Sequence, residues 1–271
     1  MLKLMYITGD PQIALIAEAA GVDRIFVDME TVGKELRQGG MNTVQSHHTV
    51  ADVAAVRRVL TRSQLLVRVN PIHPGSKQEI DAVIHAGADM LMLPYFQTIE
   101  QVNTFLRLVR GRVRTVLLFE TPPAAEQADR IAALNGVDEC FIGLNDLHLG
   151  YRKKFMFELL ADGTVERLCN LFAQAGKPYG FGGIARIGTG TLPAEYILGE
   201  HVRLGSSAVI LSRGFVGQAP AEDKAQIAQI FRQEVPRIRD AETRFAQYAM
   251  QALENNRLNV ARIVQQITET M

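Results

Sequence analysis

The chain has 271 residues, 47% hydrophobic and 21% charged, which suits one sizeable α/β unit with a core of its own. Its 29 Lys and Arg equal its 29 Asp and Glu, so no net field draws it to nucleic acid or to an anionic membrane, and partners must be recognised by a local site. Two cysteines far apart, Cys140 and Cys169, exclude a disulfide framework and a thiolate metal cluster.

The opening MLKLMYITGD meets Asp10 and Pro11 too soon for a signal peptide, and no apolar run reaches membrane-span length. A cytoplasmic protein is the expectation. From there, short apolar runs alternate with amphipathic stretches. The predicted strands are Lys3–Thr8, Arg24–Asp28, Gln64–Val69, Met90–Leu93, Thr115–Phe119, Glu139–Ile142, Pro178–Phe181 and Ala208–Leu211. The predicted helices between them are Pro11–Ala20, Val50–Leu60, Lys77–Ala86, Ile99–Val109, Ala124–Leu134, Thr164–Ala175 and Pro193–Leu204.

Eight strand–helix units with nearly continuous apolar strands predict an α/β fold of the (β/α)8 TIM-barrel type. A doubly wound sheet would carry a glycine-rich fingerprint after its first strand; here that turn reads Thr8-Gly9-Asp10-Pro11. Three long connections follow strands, at Glu30–Thr49, Gly143–Phe157 and Gly180–Gly190, and on a barrel they gather at the C-terminal face. The glycine-rich third reads equally as a cradle for a phosphate or carboxylate and as a plain loop. Residues 221–271 have helical spacing, which predicts a C-terminal extension used in packing or oligomerisation within one 1–271 domain.

Polar residues collect at the strand ends: Asp28 and Glu30 after strand two, Arg68 and Asn70 after strand three, Glu120 after strand five, and Asn145 and Asp146 after strand six. Carboxylates at a barrel mouth are costly to bury without a cation, and a pair such as Glu120 and Asp146, completed by water and substrate oxygens, suits Mg²⁺ or Mn²⁺. Taken singly, each has a plainer reading as a helix cap: Asp146 before a turn, Glu120 before Pro122 and Pro123.

With these residues in view, the chain resembles the HpcH/HpaI aldolase and citrate-lyase family. The likeness rests on AGVDRIFVDME at Ala20–Glu30, LLVRVNP at Leu65–Pro71, AGADMLMLP at Ala86–Pro94, LLFET at Leu117–Thr121 and GVDECFIGLNDLHLG at Gly136–Gly150. The resemblance implies a carbon–carbon lyase that uses a divalent metal and the enolate of a pyruvate-like 2-keto acid. It implies Glu120 and Asp146 as metal ligands, Arg68 as the guanidinium on the 2-keto oxygen, and the backbone of Gly143, Leu144 and Asn145 as the seat of the substrate carboxylate. Asp28 and Glu30 become water-mediated metal or substrate contacts.

The co-substrate is then an aldehyde or a thioester, and the resemblance suggests a homo-oligomer. No Schiff-base lysine is needed, and no lysine falls at a predicted strand end.

Three departures from the family pattern matter. Thr31 stands where the family has a histidine, and His85 where it has the partner aspartate, so the base must come from elsewhere. His48, with His47 in the long loop, is the expected replacement, and His148 competes with it. Leu118 replaces a glutamine, which makes the mouth drier. The alternatives are a citryl- or malyl-CoA-type lyase, with Arg152, Lys153, Lys154 and Arg186 as rim cations, and a barrel that binds a ligand without catalysis.

Overall fold

The computed structural model describes residues 1–33, 48–217 and 219–271. His47 therefore lies outside the described residues. Eight parallel strands close into a barrel in chain order: β1 (Lys3–Ile7), β2 (Arg24–Asp28), β3 (Gln64–Arg68), β4 (Met90–Leu93), β5 (Arg114–Phe119), β6 (Glu139–Ile142), β7 (Tyr179–Ile184) and β8 (Ala208–Leu211). The barrel closes through β1 and β8, with Lys3 opposite Ala208.

The helices outside are α1 (Pro11–Ala19), α2 (Val50–Val59), α3 (Ser76–His85), α4 (Ile99–Val109), α5 (Pro122–Glu126), α6 (Ala128–Ala132), α7 (Leu144–Gly150), α8 (Glu158–Ala161), α9 (Thr164–Gln174) and α10 (Ala194–Arg203). Side-chain oxygens mark several of their starts. Asp10 accepts from the amides of Gln12 and Ile13, and Thr49 and Thr98 form reciprocal capping boxes with Asp52 and Gln101.

Three expectations change in detail. Gln127 breaks the single helix expected at Ala124–Leu134 into α5 and α6. The Gly143–Phe157 connection is not a loop, because Leu144–Gly150 coils into α7. Strand β7 runs on to Ile184, so only the end of the Gly180–Gly190 run is a loop.

Strand periodicity of two sorts the side chains into layers inside the barrel. Phe26, Leu66, Met92, Leu118 and Phe141 fill the middle. Two residues toward the N-terminal end lie Arg24 and Glu139, at the starts of strands on opposite sides of the ring, joined across the lumen. Arg24 Nη1 and Nη2 donate to Glu139 Oε1 and Oε2 at 2.6 and 2.9 Å, and Arg24 Nε reaches Gln64 Oε1 at 3.2 Å. Two residues the other way lie Asp28 and Arg68, at the mouth.

At the closed end, the buried Glu18 carboxylate gathers the amides of Thr61, Arg62 and Ser63. One glycine is required by contact: a Cβ at Gly180 would stand 2.3 Å from the Ala208 carbonyl oxygen and 2.7 Å from Phe141 Cε2. Only a bare Cα lets β7 approach β8 there.

The extension forms α11 (Lys224–Ala246) and α12 (Met250–Thr270). The first packs on α1 and α10, the second on α10 and α8. Asn256 of α12 donates to the Tyr196 carbonyl at 3.0 Å and to Glu200 Oε1 at 2.9 Å, over Gly199, whose missing side chain leaves the room. Beside this contact His201 is buried and stacked on Phe181 with ring centroids 3.8 Å apart; its Nδ1 meets Ser206 Oγ at 2.8 Å. No described helix is long and apolar enough to cross a membrane.

Candidate active site

A cavity of about 280 Å³ opens at the C-terminal end of the barrel. Its polar wall is Arg68, Glu120, Asn145, Asp146 and Ser212; its apolar floor includes Ile7, Phe26, Met92, Leu118, Phe141 and Ile210. The floor is the top of the barrel interior, and Leu118 makes it apolar where a glutamine was expected from the family pattern.

Arg68 ends β3 with its side chain inward, over the Phe26 ring at 5.6 Å. Its Nε and Nη2 donate to the two oxygens of Asp28 at 2.8 and 2.7 Å, and Nη1 lies 3.4 Å from Glu30 Oε2. Burial works against its charge, but Asp28, Glu30 and Glu120 outweigh it and hold the guanidinium firmly protonated. Asp28 and Glu30, expected to touch substrate or metal-bound water, thus grip and orient Arg68; neither is among the residues lining the cavity.

Glu120 follows β5 and is 3% exposed. It is not the cap of α5, since Thr121 Oγ1 accepts from the Ala124 amide. Burial pushes the Glu120 carboxyl up, Arg68 pulls it back, and Glu30 and Asp146 raise it again, leaving it at about 8. A site that strains to keep a carboxylate charged has room for a cation. Asp146, half-buried in the first turn of α7, shares the cavity with it. The two acids also line a second recess with Tyr95, Pro122 and Leu149.

Gly143, Leu144 and Asn145 reach the same cavity. The Gly143 amide is already committed to the Phe119 carbonyl at 3.0 Å. Asn145 is exposed at the rim and Leu144 is buried.

His48 comes to the mouth although it lies 20 residues beyond Asp28. Its Nδ1 accepts from the Asp28 amide at 3.1 Å, and its ring sits so close to Gly9 that a Cβ there would stand 2.5 Å from Cδ2. The ring does not line the cavity. His148 is buried in α7, its Nδ1 3.1 Å from the Leu144 carbonyl of the preceding turn.

Thr31, in the family's histidine place, has its amide and hydroxyl on Asn70 Oδ1. Of the rim cations, Lys153 is paired with Asp162 at 2.7 Å. Ser212 and Tyr95 were not singled out from sequence; the only signal was their place just beyond strands β8 and β4.

A profile of the HpcH/HpaI aldolase/citrate lyase family matches residues 3–181. No curated protein sequence matches the chain. Similar solved structures include an HpcH/HpaI aldolase/citrate lyase family protein from Burkholderia cenocepacia J2315, 18% identical with a TM-score of 0.63 over 88% of this chain and 94% of that one. An HpcH/HpaI aldolase from Desulfitobacterium hafniense DCB-2 is 17% identical, with a TM-score of 0.62 over 78% of this chain and 86% of that one. Macrophomate synthase is 13% identical, with a TM-score of 0.58 over 91% of this chain and 86% of that one. At such identities the structural likeness speaks to the fold.

Proposed function

The chain belongs to the HpcH/HpaI aldolase/citrate lyase family, and from that premise we propose that this carbon–carbon lyase is a divalent-metal-dependent aldolase working through the enolate of a pyruvate-like 2-keto acid. One observation carries the reading: Arg68, Glu120 and Asp146, from three different strand ends, meet around one cavity at the barrel mouth.

Among the described residues no group of three or more His, Cys, Asp or Glu side chains is arranged to hold a metal ion. A cation would then be held by Glu120 and Asp146, with water and substrate oxygens completing its shell, a donor set that Mg²⁺ and Mn²⁺ accept. The fit is supported by Glu120, which its burial, and after it the charges of Glu30 and Asp146, press toward neutrality against the pull of Arg68. When bound, the cation supplies positive charge against the carboxylate and 2-keto oxygens of the substrate.

The chain's own residues do the rest. Arg68, fixed by Asp28, holds its permanent charge where the keto oxygen gains charge. In the cleavage direction, a base takes the proton from the hydroxyl of the adduct. The bond between that carbon and the keto acid's methylene breaks, the aldehyde leaves, and the electron pair stays with the keto acid as its enolate. Protonation of the methylene carbon completes the turnover. His48, beside Asp28, is our candidate for the proton transfers, acting through water because its ring is not among the residues lining the cavity. The substrate carboxylate lies along Leu144 and Asn145, where Gly143 keeps the strand end open. Assembly as a homo-oligomer is part of the same proposal.

The test is solvent deuterium exchange into the pyruvate methyl group, followed by proton NMR with Mg²⁺ and with EDTA. Exchange should require the ion, and Glu120→Ala and Asp146→Ala should lose divalent-ion binding by calorimetry. Undiminished exchange in the metal-free protein would rule the mechanism out.

A further inference from the structure

Among the described residues three non-glycines have positive φ: Arg110 at 55°, Arg152 at 58° and Tyr95 at 47°. Arg110 caps the C-terminal end of α4, and Arg152 follows the C-terminal cap of α7, where such a conformation ends a helix. Tyr95 ends no helix. It stands two residues beyond β4, and for a bulky residue this conformation persists only when the surroundings enforce it.

Those surroundings are specific. Pro94 precedes Tyr95. Phe96 follows it into the core, edge-on to Phe119 at 5.1 Å, and the Phe96 carbonyl accepts from Thr121 Oγ1 at 2.8 Å. The backbone flanking Tyr95 is thereby tied to the end of β5, and the turn aims the Tyr95 amide at Glu120 Oε1, 2.9 Å away.

The other half of the same carboxylate has its own provision. A Cβ at Gly143 would stand 2.7 Å from Glu120 Oε2 and 2.8 Å from Glu120 Cβ. Gly143 has φ −84°, which any residue adopts. Glycine is needed there for space rather than for conformation.

We propose that the Tyr95 amide and the bare Cα of Gly143 together form the positioning device of Glu120: one holds Oε1, and the other leaves the slot that Oε2 occupies beside the cavity. Tyr95 acts through its backbone, as a positioning residue. The inference rests on the reading of Glu120 as a cation ligand. Supports of this kind behind a ligand carboxylate set metal affinity by orienting it.

The experiment is calorimetric titration of the full chain with Mn²⁺ alone. Tyr95→Gly keeps the amide and adopts positive φ freely, so it should bind Mn²⁺ nearly as tightly as the unaltered protein. Tyr95→Pro removes the N–H and fixes φ near −65°, and should weaken binding by about tenfold or more. Both variants lack the phenol ring, so the difference between them reports the backbone.

Gly143→Ala should also lose about tenfold or more. The new methyl meets Glu120 Cβ as well as Oε2, so the carboxylate must move as a whole; the circular dichroism of the variant should stay that of the unaltered protein, which a merely destabilised barrel would not show. Should Tyr95→Pro fail to fold, Gly143→Ala, with its fold checked by circular dichroism, decides the matter. Normal Mn²⁺ affinity in Gly143→Ala overturns the proposal. A Glu120→Gln control separates the two levels: if it loses binding while Gly143→Ala does not, positioning alone is wrong; if it too binds normally, Glu120 is no ligand and the functional reading falls with it.

Discussion

Replacing Arg24 with methionine would leave Glu139 alone inside the closed end of the barrel. Both side chains are almost wholly buried, 5% and 2% exposed, and two fork-like bonds of 2.6 and 2.9 Å join them. Removing one partner of such a pair costs about 3–5 kcal/mol, because the carboxylate that remains has lost both water and counter-charge. For a domain of this size, that corresponds to a fall of roughly 6 to 20 °C in the midpoint of thermal unfolding.

Substituting Glu139→Leu as well removes the stranded charge and fills the lumen with hydrocarbon. The double variant should return to within about 1–2 kcal/mol of the original protein, since the net worth of a buried pair over apolar groups of similar volume is small. Urea unfolding followed by circular dichroism measures both. A loss below about 1 kcal/mol in Arg24→Met, or a double variant no more stable than the single one, would refute this account of a desolvated pair.

Other changes test the barrel and the mouth separately. Arg68→Lys keeps the charge but cannot reproduce the two-pronged grip on Asp28; keto-acid methyl exchange should fall by about a hundredfold, and an unchanged rate would show that the fork does not matter. Gly180→Ala drives a methyl into the Ala208 carbonyl of the neighbouring strand, and should cost roughly 3 kcal/mol or prevent folding, read as the urea midpoint.

Acid should weaken the fold through His201, whose burial lowers its pKa from the ordinary 6.5 to about 3. Because the folded value lies below the unfolded one, the neutral ring's contribution is complete above pH 6.5 and is lost as pH falls towards 3, at no more than about 1.4 kcal/mol per pH unit. His201→Phe should therefore lose less stability than the parent between pH 7 and pH 4; equal losses would clear the imidazole.

Most strands could be read within a residue or two because parallel barrel strands are buried on both faces and appear as unbroken apolar runs, as MLML at Met90–Leu93 does. The same alternation explains why Arg68 and Glu120 were legible as mouth residues: an inward-facing polar side chain one step past an apolar run has few other places to go. Helix α7 was not legible, since seven residues of LNDLHLG span two turns and show no clear stripe.

Nor could the sequence reveal the parts of Tyr95 and Gly143. An amide donor is common to nearly every residue, and the reason for Gly143 is a side chain 23 positions earlier in the chain. Asp28 was read as a water-mediated metal or substrate contact, and the structure pairs it with Arg68, a pairing set by β2 and β3 lying side by side with Asp28 opposite Arg68. His48 was picked out by residue type and by its place in the long connection after β2; its bond to the Asp28 amide is a tertiary contact with no local signature.

The cross-lumen fastening of Arg24 to Glu139, with the amides gathered by Glu18 nearby, sits at the pole of the barrel remote from Glu120 and Asp146. Variation can therefore act on the two poles in different ways. Loops at the open pole can be exchanged to suit another substrate with the frame left standing, whereas drift at the closed pole is tolerated only when both members of a charged couple change together. Descendants of such a barrel would diverge in what they cleave well before they diverge in how they fold.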